Sequence, residues 1–133
     1  MRLLVLLLAL LAGCATVPEP APGTAPETAP PTEPLPEAQQ RRESVAIAGL
    51  MESARSDTAA GRLANAAASL ERALRIEPRN PRLWQELARV RLLQGEYAQA
   101  ESLAARSNSW AGSDSGLRAE NQRLIEQARQ AAR

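Results

Sequence analysis

The chain has 133 residues, with 16 basic and 15 acidic side chains, and a formal net charge of +1. That length provides for one small domain. A net charge so close to zero gives no overall field for nucleic acid or an acidic membrane, so a nucleic-acid partner is not expected. One cysteine and no histidine exclude an internal disulfide and a zinc cluster, and no metal or other cofactor is expected.

Residues 1–13 predict a signal peptide. Arg2 supplies a positive charge, and residues 3–12 form an uninterrupted apolar run. This run is too short for a membrane-spanning helix, which needs about 20 apolar residues. Its length and its position match the apolar region of a secretory signal.

The end of this segment, Leu11-Ala12-Gly13-Cys14, resembles the lipobox of bacterial lipoproteins. The resemblance implies cleavage before Cys14 and lipidation of this cysteine, with acyl chains that anchor the protein. Ala15 occupies the position where an aspartate commonly retains lipoproteins at the inner membrane. The expected location is therefore the outer membrane, lipid-anchored and facing the periplasm. The alternative is an ordinary secretory signal followed by an incidental cysteine.

The composition of residues 14–40 predicts a disordered proline-rich linker that follows the lipidated cysteine at its start. Eight of the ten prolines lie here, among alanine, threonine and glutamate. Proline prevents helices and sheets from propagating, and too few apolar side chains are present to offset the entropy of ordering. In an extended polyproline conformation the linker would reach about 80 Å, at about 3.1 Å per residue.

Residues 41–133 predict an all-α fold, because they contain only six β-branched residues and are rich in leucine, alanine, arginine, glutamate and glutamine. Glycine and proline divide the region into five predicted helices. Asn80 and Pro81 have the residue types of an N-cap and a first helical turn. The predicted helices cover residues 43–59, 63–76, 82–94, 97–107 and 117–131.

The helical pattern repeats along the chain. Gly61 corresponds to Gly95 and Leu50 corresponds to Trp84, with the same separation in both pairs. A helix–turn–helix unit with a period of about 34 residues resembles the tetratricopeptide repeat. The second copy carries the resemblance best, through Trp84, Leu87, Ala88, Gly95, Tyr97 and Ala100. The first copy matches through Leu50, Ala54, Gly61, Ala66, Leu70, Ala73 and Pro78.

The resemblance implies two tetratricopeptide repeats followed by a C-terminal capping helix, and a role in protein–protein recognition. Small side chains at Ala54, Ala66, Ala88 and Ala100 would allow the helix backbones to approach closely. The predicted inner face of the capping helix comprises Leu117, Leu124, Ile125 and Ala128.

No catalytic group is evident in the sequence, since its serines have no histidine to activate them and no glycine-rich phosphate loop occurs. We therefore expect a binding protein and not an enzyme. In this family the first helix of each repeat lines the binding face. The candidate partner-binding residues are Met51, Arg55, Arg82, Gln85, Arg89 and Arg123.

Three of these arginines, Arg55, Arg89 and Arg123, are separated by one repeat period each and would form a column. Such a column suits bidentate pairing with carboxylates of a partner. The alternative is an ordinary solvated face on which Glu52 and Glu86 neutralise the arginines. The two tryptophans and Tyr97 are interpreted as core or stacking residues.

The combination of a lipobox, a proline-rich linker and a small repeat domain resembles the LpoP-type outer-membrane lipoproteins of pseudomonads and xanthomonads. This resemblance implies activation of a bifunctional peptidoglycan synthase, a class A penicillin-binding protein. Two alternatives remain open. One is an assembly lipoprotein, such as a pilotin or a scaffold for outer-membrane protein insertion. The other is a structural link between the outer membrane and peptidoglycan.

Overall fold

In a computed structural model of the protein, the described part of the chain is residues 36–133. Its helices are α1 (Glu37–Ala59), α2 (Leu63–Ile76), α3 (Pro81–Leu93), α4 (Tyr97–Trp110) and α5 (Ser115–Ala131). Each helix packs against the next one along the chain, and α3 also contacts α5. The predicted all-α fold of two helix–turn–helix repeats and a final helix is confirmed. The predicted signal peptide, Cys14 and most of the predicted linker lie outside the described residues.

Helices α1 and α4 extend furthest beyond the bounds predicted from sequence, whereas α3 and α5 begin only one and two residues before their predicted starts. Helix α1 begins at Glu37, before the predicted start at residue 43, and so includes a segment that the sequence analysis assigned to the linker. This segment, Glu37 to Gln40, has high helix propensity, and Pro36 precedes it at a position where proline blocks no helical hydrogen bond. Helix α4 continues to Trp110, because no breaker occurs before Gly112.

The turn between α1 and α2 is built on a glycine with a left-handed backbone. Gly61 has φ of 73°, and its N–H donates to the carbonyl of Thr58 at 3.0 Å. The N–H of Arg62 donates to the carbonyl of Asp57 at 2.8 Å, which completes a Schellman motif. The same pair of bonds recurs one repeat period later around Gly95, where φ is 79°. Both repeats therefore reverse direction in the same way.

An ion pair spans each of these turns. The position that is acidic in the first repeat is basic in the second, and the reverse holds for its partner. In the first repeat Arg62 lies 2.7 Å from Asp57, and at the equivalent positions of the second repeat Arg91 lies 3.0 Å from Glu96. Arg91 also contacts Glu71 of α2 at 2.7 Å. Arg91 therefore joins the two repeats through Glu71, while its pair with Glu96 spans the turn of the second repeat.

Helices α3 and α5 begin with the same kind of cap. The side chain of Asn80 accepts a hydrogen bond from the N–H of Arg82 at 3.0 Å, and that of Asp114 accepts from Leu117 at 2.9 Å. The predicted cap at Asn80 is confirmed. Since Asp114 follows Asn80 by one repeat period, α5 begins where the first helix of a third repeat would begin.

The core is made of leucines and closely packed alanines. The four alanines predicted at helix crossings are between 0 and 3% exposed. The predicted inner face of α5 is also confirmed, since its four residues are between 1 and 8% exposed. Leu124 and Ile125 pack with Ala88 of α3 and Ala104 of α4. Within residues 36–133, no helix has the combination of length and apolarity that crossing a membrane requires.

The turn geometry predicts opposite effects for two glycine-to-alanine substitutions. We expect Gly95→Ala to lower the free energy of unfolding by about 1–2 kcal/mol, because an L side chain disfavours the left-handed conformation. Gly49 lies within α1, and a Cβ there would have no heavy atom within 4 Å. We expect Gly49→Ala to raise stability by about 0.5–1 kcal/mol. Urea unfolding measures both, and a loss of stability at Gly49 or none at Gly95 would contradict this account.

Candidate functional site

Helices α1, α3 and α5 share a face that contains two adjoining depressions. The first, of about 330 Å³, lies between α1 and α3, and its floor includes the buried residues Leu70 and Val90. The second, of about 460 Å³, lies between α3 and α5. Arg89 and Leu93 line both. We refer to this surface as the groove; its principal residues are Met51, Arg55, Glu86, Arg89, Leu93 and Arg123.

Four of the six candidate residues predicted from sequence meet in the groove. Met51, Arg55 and Arg89 line the first depression, and Arg89 and Arg123 line the second. The repeat period accounts for this arrangement, because Arg55, Arg89 and Arg123 occupy equivalent positions on α1, α3 and α5. That a partner binds these residues remains a prediction.

Arg82 lies apart from both depressions. It is the second residue of α3, and its Nη2 atom lies 3.4 Å from Oδ2 of Asp114, the cap of α5. Both side chains are exposed. Arg82 therefore links the starts of two helices and does not line the groove.

Gln85, predicted from sequence as a candidate partner-binding residue, does not line the groove, because its side chain is buried in a polar network. Gln85 is 3% exposed, and its Nε2 atom donates to Oδ1 of Asn121 at 3.1 Å. Nδ2 of Asn121 donates to Oγ of Ser107 at 2.8 Å and to Oδ1 of Asn108 at 2.9 Å. Oγ of Ser107 in turn donates to the carbonyl of Pro81 at 2.8 Å. Gln85 therefore fixes α5 in place and is unavailable to a partner.

Charged residues cross the groove in two parallel columns. The arginine column is matched by glutamates at positions 52, 86 and 120, which are also separated by one repeat period each. Between α3 and α5, Arg89 pairs with Glu120 at 2.9 Å. Between α1 and α3 the equivalent pair would join Arg55 to Glu86. Arg55 pairs instead with Glu52 of its own helix at 3.7 Å. Within the described part of the chain, no ion pair bridges the seam over the first depression.

The two ion pairs of the groove are exposed to solvent. The alternative interpretation, an ordinary solvated face on which glutamates neutralise the arginines, requires this exposure. Side-chain exposure is 62 and 76% for Arg55 and Glu52, and 44 and 50% for Arg89 and Glu120. Such pairs contribute about 0–1 kcal/mol to stability. A carboxylate of a partner can therefore replace Glu52 or Glu120 at little cost to the fold.

Leu93 is a groove residue that the sequence analysis missed. It is 60% exposed and lies between the two depressions. A signal was available, since Leu93 follows Arg89 by one helical turn and residues at this spacing share a helix face. An exposed leucine beside arginines gives the groove an apolar contact as well as a charged one.

The tryptophans lie outside the groove. Trp84 donates from Nε1 to the carbonyl of Pro78 at 2.8 Å, and the guanidinium of Arg106 lies 4.6 Å from its ring centroid. Trp110 is 41% exposed, with the guanidinium of Arg79 at 5.3 Å. The interpretation of Trp84 as a stacking residue is confirmed. Across residues 36–133, no group of histidine, cysteine, aspartate or glutamate is arranged to hold a metal ion.

Comparison with known proteins agrees with this geometry. The family model described as tetratricopeptide repeat matches residues 57–119, which include α2, α3 and α4. The fold is that of a protein-interaction module of this class.

One solved structure is similar to this chain in both sequence and fold. The globular C-terminal domain of P. aeruginosa LpoP is 44% identical to this chain, with a TM-score of 0.64. The alignment covers 65% of this chain and 82% of that one. The chain therefore belongs to the LpoP-like tetratricopeptide-repeat proteins. Among curated protein sequences, none matches it.

The buried network predicts that Gln85 and Arg82 differ sharply in their effect on stability. We expect Gln85→Ala to lower the free energy of unfolding by about 1–3 kcal/mol, because a buried oxygen of Asn121 loses its donor. Arg82→Ala, which removes an exposed ion pair, should change stability by less than about 0.5 kcal/mol. Thermal and urea unfolding compare the two, and equal effects would contradict a structural role for Gln85.

Proposed function

We propose that this protein is a lipid-anchored outer-membrane protein, facing the periplasm, that binds and activates a class A penicillin-binding protein. The observation that carries the proposal is the 44% identity to the LpoP domain over 82% of its length. LpoP-type lipoproteins are the activators that the combination of lipobox, linker and repeat domain resembles. The coarser function, a protein-interaction module, follows from the fold itself.

The groove supports this proposal because its chemistry suits a protein segment. Arg55, Arg89 and Arg123 offer guanidinium groups for carboxylates, and the exposed side chain of Leu93 offers an apolar contact. Interfaces of this kind depend on a few apolar and arginine anchors. Binding would activate the synthase if the groove has higher affinity for its active conformation than for its inactive one.

The predicted anchor and linker explain how one membrane protein could reach another. Lipidation at Cys14 would hold the chain in the outer membrane, and the linker would span a distance on the order of 80 Å. Tethering raises the local concentration of the domain near its target. This part of the proposal rests on the sequence, since Cys14 lies outside the described residues.

The proposal predicts that Arg89→Glu weakens activation without weakening the fold. In a glycan-polymerisation assay of the organism's class A penicillin-binding protein, we expect the chain from residue 15 onward to raise the rate. The Arg89→Glu variant should require about tenfold more protein for the same effect, since reversing a charge at a paired carboxylate costs at least about 1.4 kcal/mol. Its melting temperature should stay within about 2 °C of the wild type.

Arg129→Glu is the matched control, because it also reverses one exposed, ion-paired arginine. Arg129 lies on α5 but pairs with Glu101 of α4 at 2.6 Å, away from the groove. Equal losses in both variants would refute a specific role for the groove. A folded domain that leaves polymerisation unchanged would refute the activator function and favour an assembly or structural role.

The proposed anchor predicts that Cys14→Ser abolishes lipidation. Wild-type protein expressed in bacterial cells should incorporate radiolabelled palmitate and sediment with outer membranes. The variant should do neither, because the acylated thiol is absent. Labelling that persists in Cys14→Ser would show that the cysteine is incidental.

A further inference from the structure

The near-zero net charge of the chain conceals an uneven distribution of charge. At the N-terminal end of the repeat stack, arginines of α1 and α2 line two shallow depressions that share Ala46. We call this surface the end face; its residues are Arg41, Arg42, Val45, Arg72, Arg75 and Ile76. Within residues 36–133, none of its four arginines takes part in an ion pair.

Among the residues that the structure describes, no acidic side chain lines either end-face depression. Two of the nearby glutamates have other partners, since Glu52 pairs with Arg55 at the groove and Glu71 pairs with Arg91. Glu37 and Glu43 lie beside Arg41 and Arg42 on α1. Within residues 36–133 neither of them forms an ion pair with an end-face arginine, and Glu43 accepts a hydrogen bond from Gln39 at 3.2 Å.

The end face is not built to receive another helical repeat. A preceding repeat would pack on α1 as the first repeat packs on α3, where Leu83 and Leu87 are 0 and 4% exposed. The equivalent residues of α1, one repeat period earlier, are Gly49 and Ser53. Without large apolar side chains at these positions, stacking a helix here would bury little apolar surface. A second copy of the domain is therefore a poor occupant.

Two exposed aliphatic side chains accompany the arginines. Val45 is 68% exposed and Ile76 is 36% exposed. A surface that combines several basic residues with projecting aliphatic ones has the composition of interfacial membrane contacts. Guanidinium groups bind phosphate oxygens in a bidentate manner, while the aliphatic groups enter the headgroup region.

We propose that the end face docks on a bilayer surface that carries anionic phospholipids. Charge complementarity is the basis, since the surface has four arginines and, among the described residues, no acidic side chain in its lining. The end face and the groove use different sides of α1, because Val45 and Ala46 line one whereas Met51 and Arg55 line the other. A membrane and a protein partner can therefore be bound at the same time.

Vesicle sedimentation tests the proposal with the chain from residue 15 onward, which retains the whole domain and lacks the acylated cysteine. We expect binding to vesicles of phosphatidylethanolamine with phosphatidylglycerol, weakening as salt is raised, and little binding to phosphatidylcholine alone. The double variant Arg72→Glu/Arg75→Glu should bind the anionic vesicles about tenfold or more weakly. Its far-UV circular dichroism should match the wild type, since both side chains are exposed.

Arg82→Glu/Arg129→Glu is the matched control, because it changes the net charge equally and leaves both the end face and the groove intact. It should retain vesicle binding. An equal loss in this control would show attraction by net charge and overturn the proposal, as would wild-type binding that does not depend on phosphatidylglycerol. If the end-face variant binds vesicles normally but loses affinity for the penicillin-binding protein, the proposal is overturned and the end face serves an acidic protein segment instead.

Discussion

The left-handed glycine at the helix reversal within each repeat is the constraint on which the rest of the structure depends. Gly61 and Gly95 allow the chain to leave one helix and enter the next through the same Schellman motif. Because the two turns have the same geometry and are one repeat period apart, equivalent side chains fall on equivalent faces. The alanine crossings, the caps of α3 and α5, and the charged columns of the groove all follow from that alignment.

The final helix departs from this regularity where a polar network replaces apolar packing. Ser107 occupies a position where the repeat pattern has a larger side chain or alanine, and its hydroxyl joins Asn121 to the carbonyl of Pro81. Hydrogen bonds are directional, so this network fixes the orientation of α5 in a way that aliphatic contacts alone would not. The orientation matters for function, since α5 contributes Arg123 to the groove and Glu120 to the pair with Arg89.

The two surfaces of the domain differ in the way their charges are balanced. In the groove, arginine and glutamate columns run side by side, and among the described residues no ion pair bridges the seam over the apolar first depression. At the end face, arginines lie beside exposed Val45 and Ile76, and the described lining contains no acidic residue. A balanced, apolar-floored groove suits selective binding of a protein segment, whereas an unbalanced, shallow surface suits an extended anionic one.

Helix propensity is local and the repeat period is constant, so the sequence is sufficient to predict the five helices, the glycine turns and the column of Arg55, Arg89 and Arg123. The packing between helices determines that Gln85 is buried, that Leu93 is exposed and that Arg55 pairs within its own helix instead of across the seam. These outcomes depend on the distance and rotation between packed helices. Periodicity assigns a residue to a helix face, but neighbouring helices determine whether that face is covered.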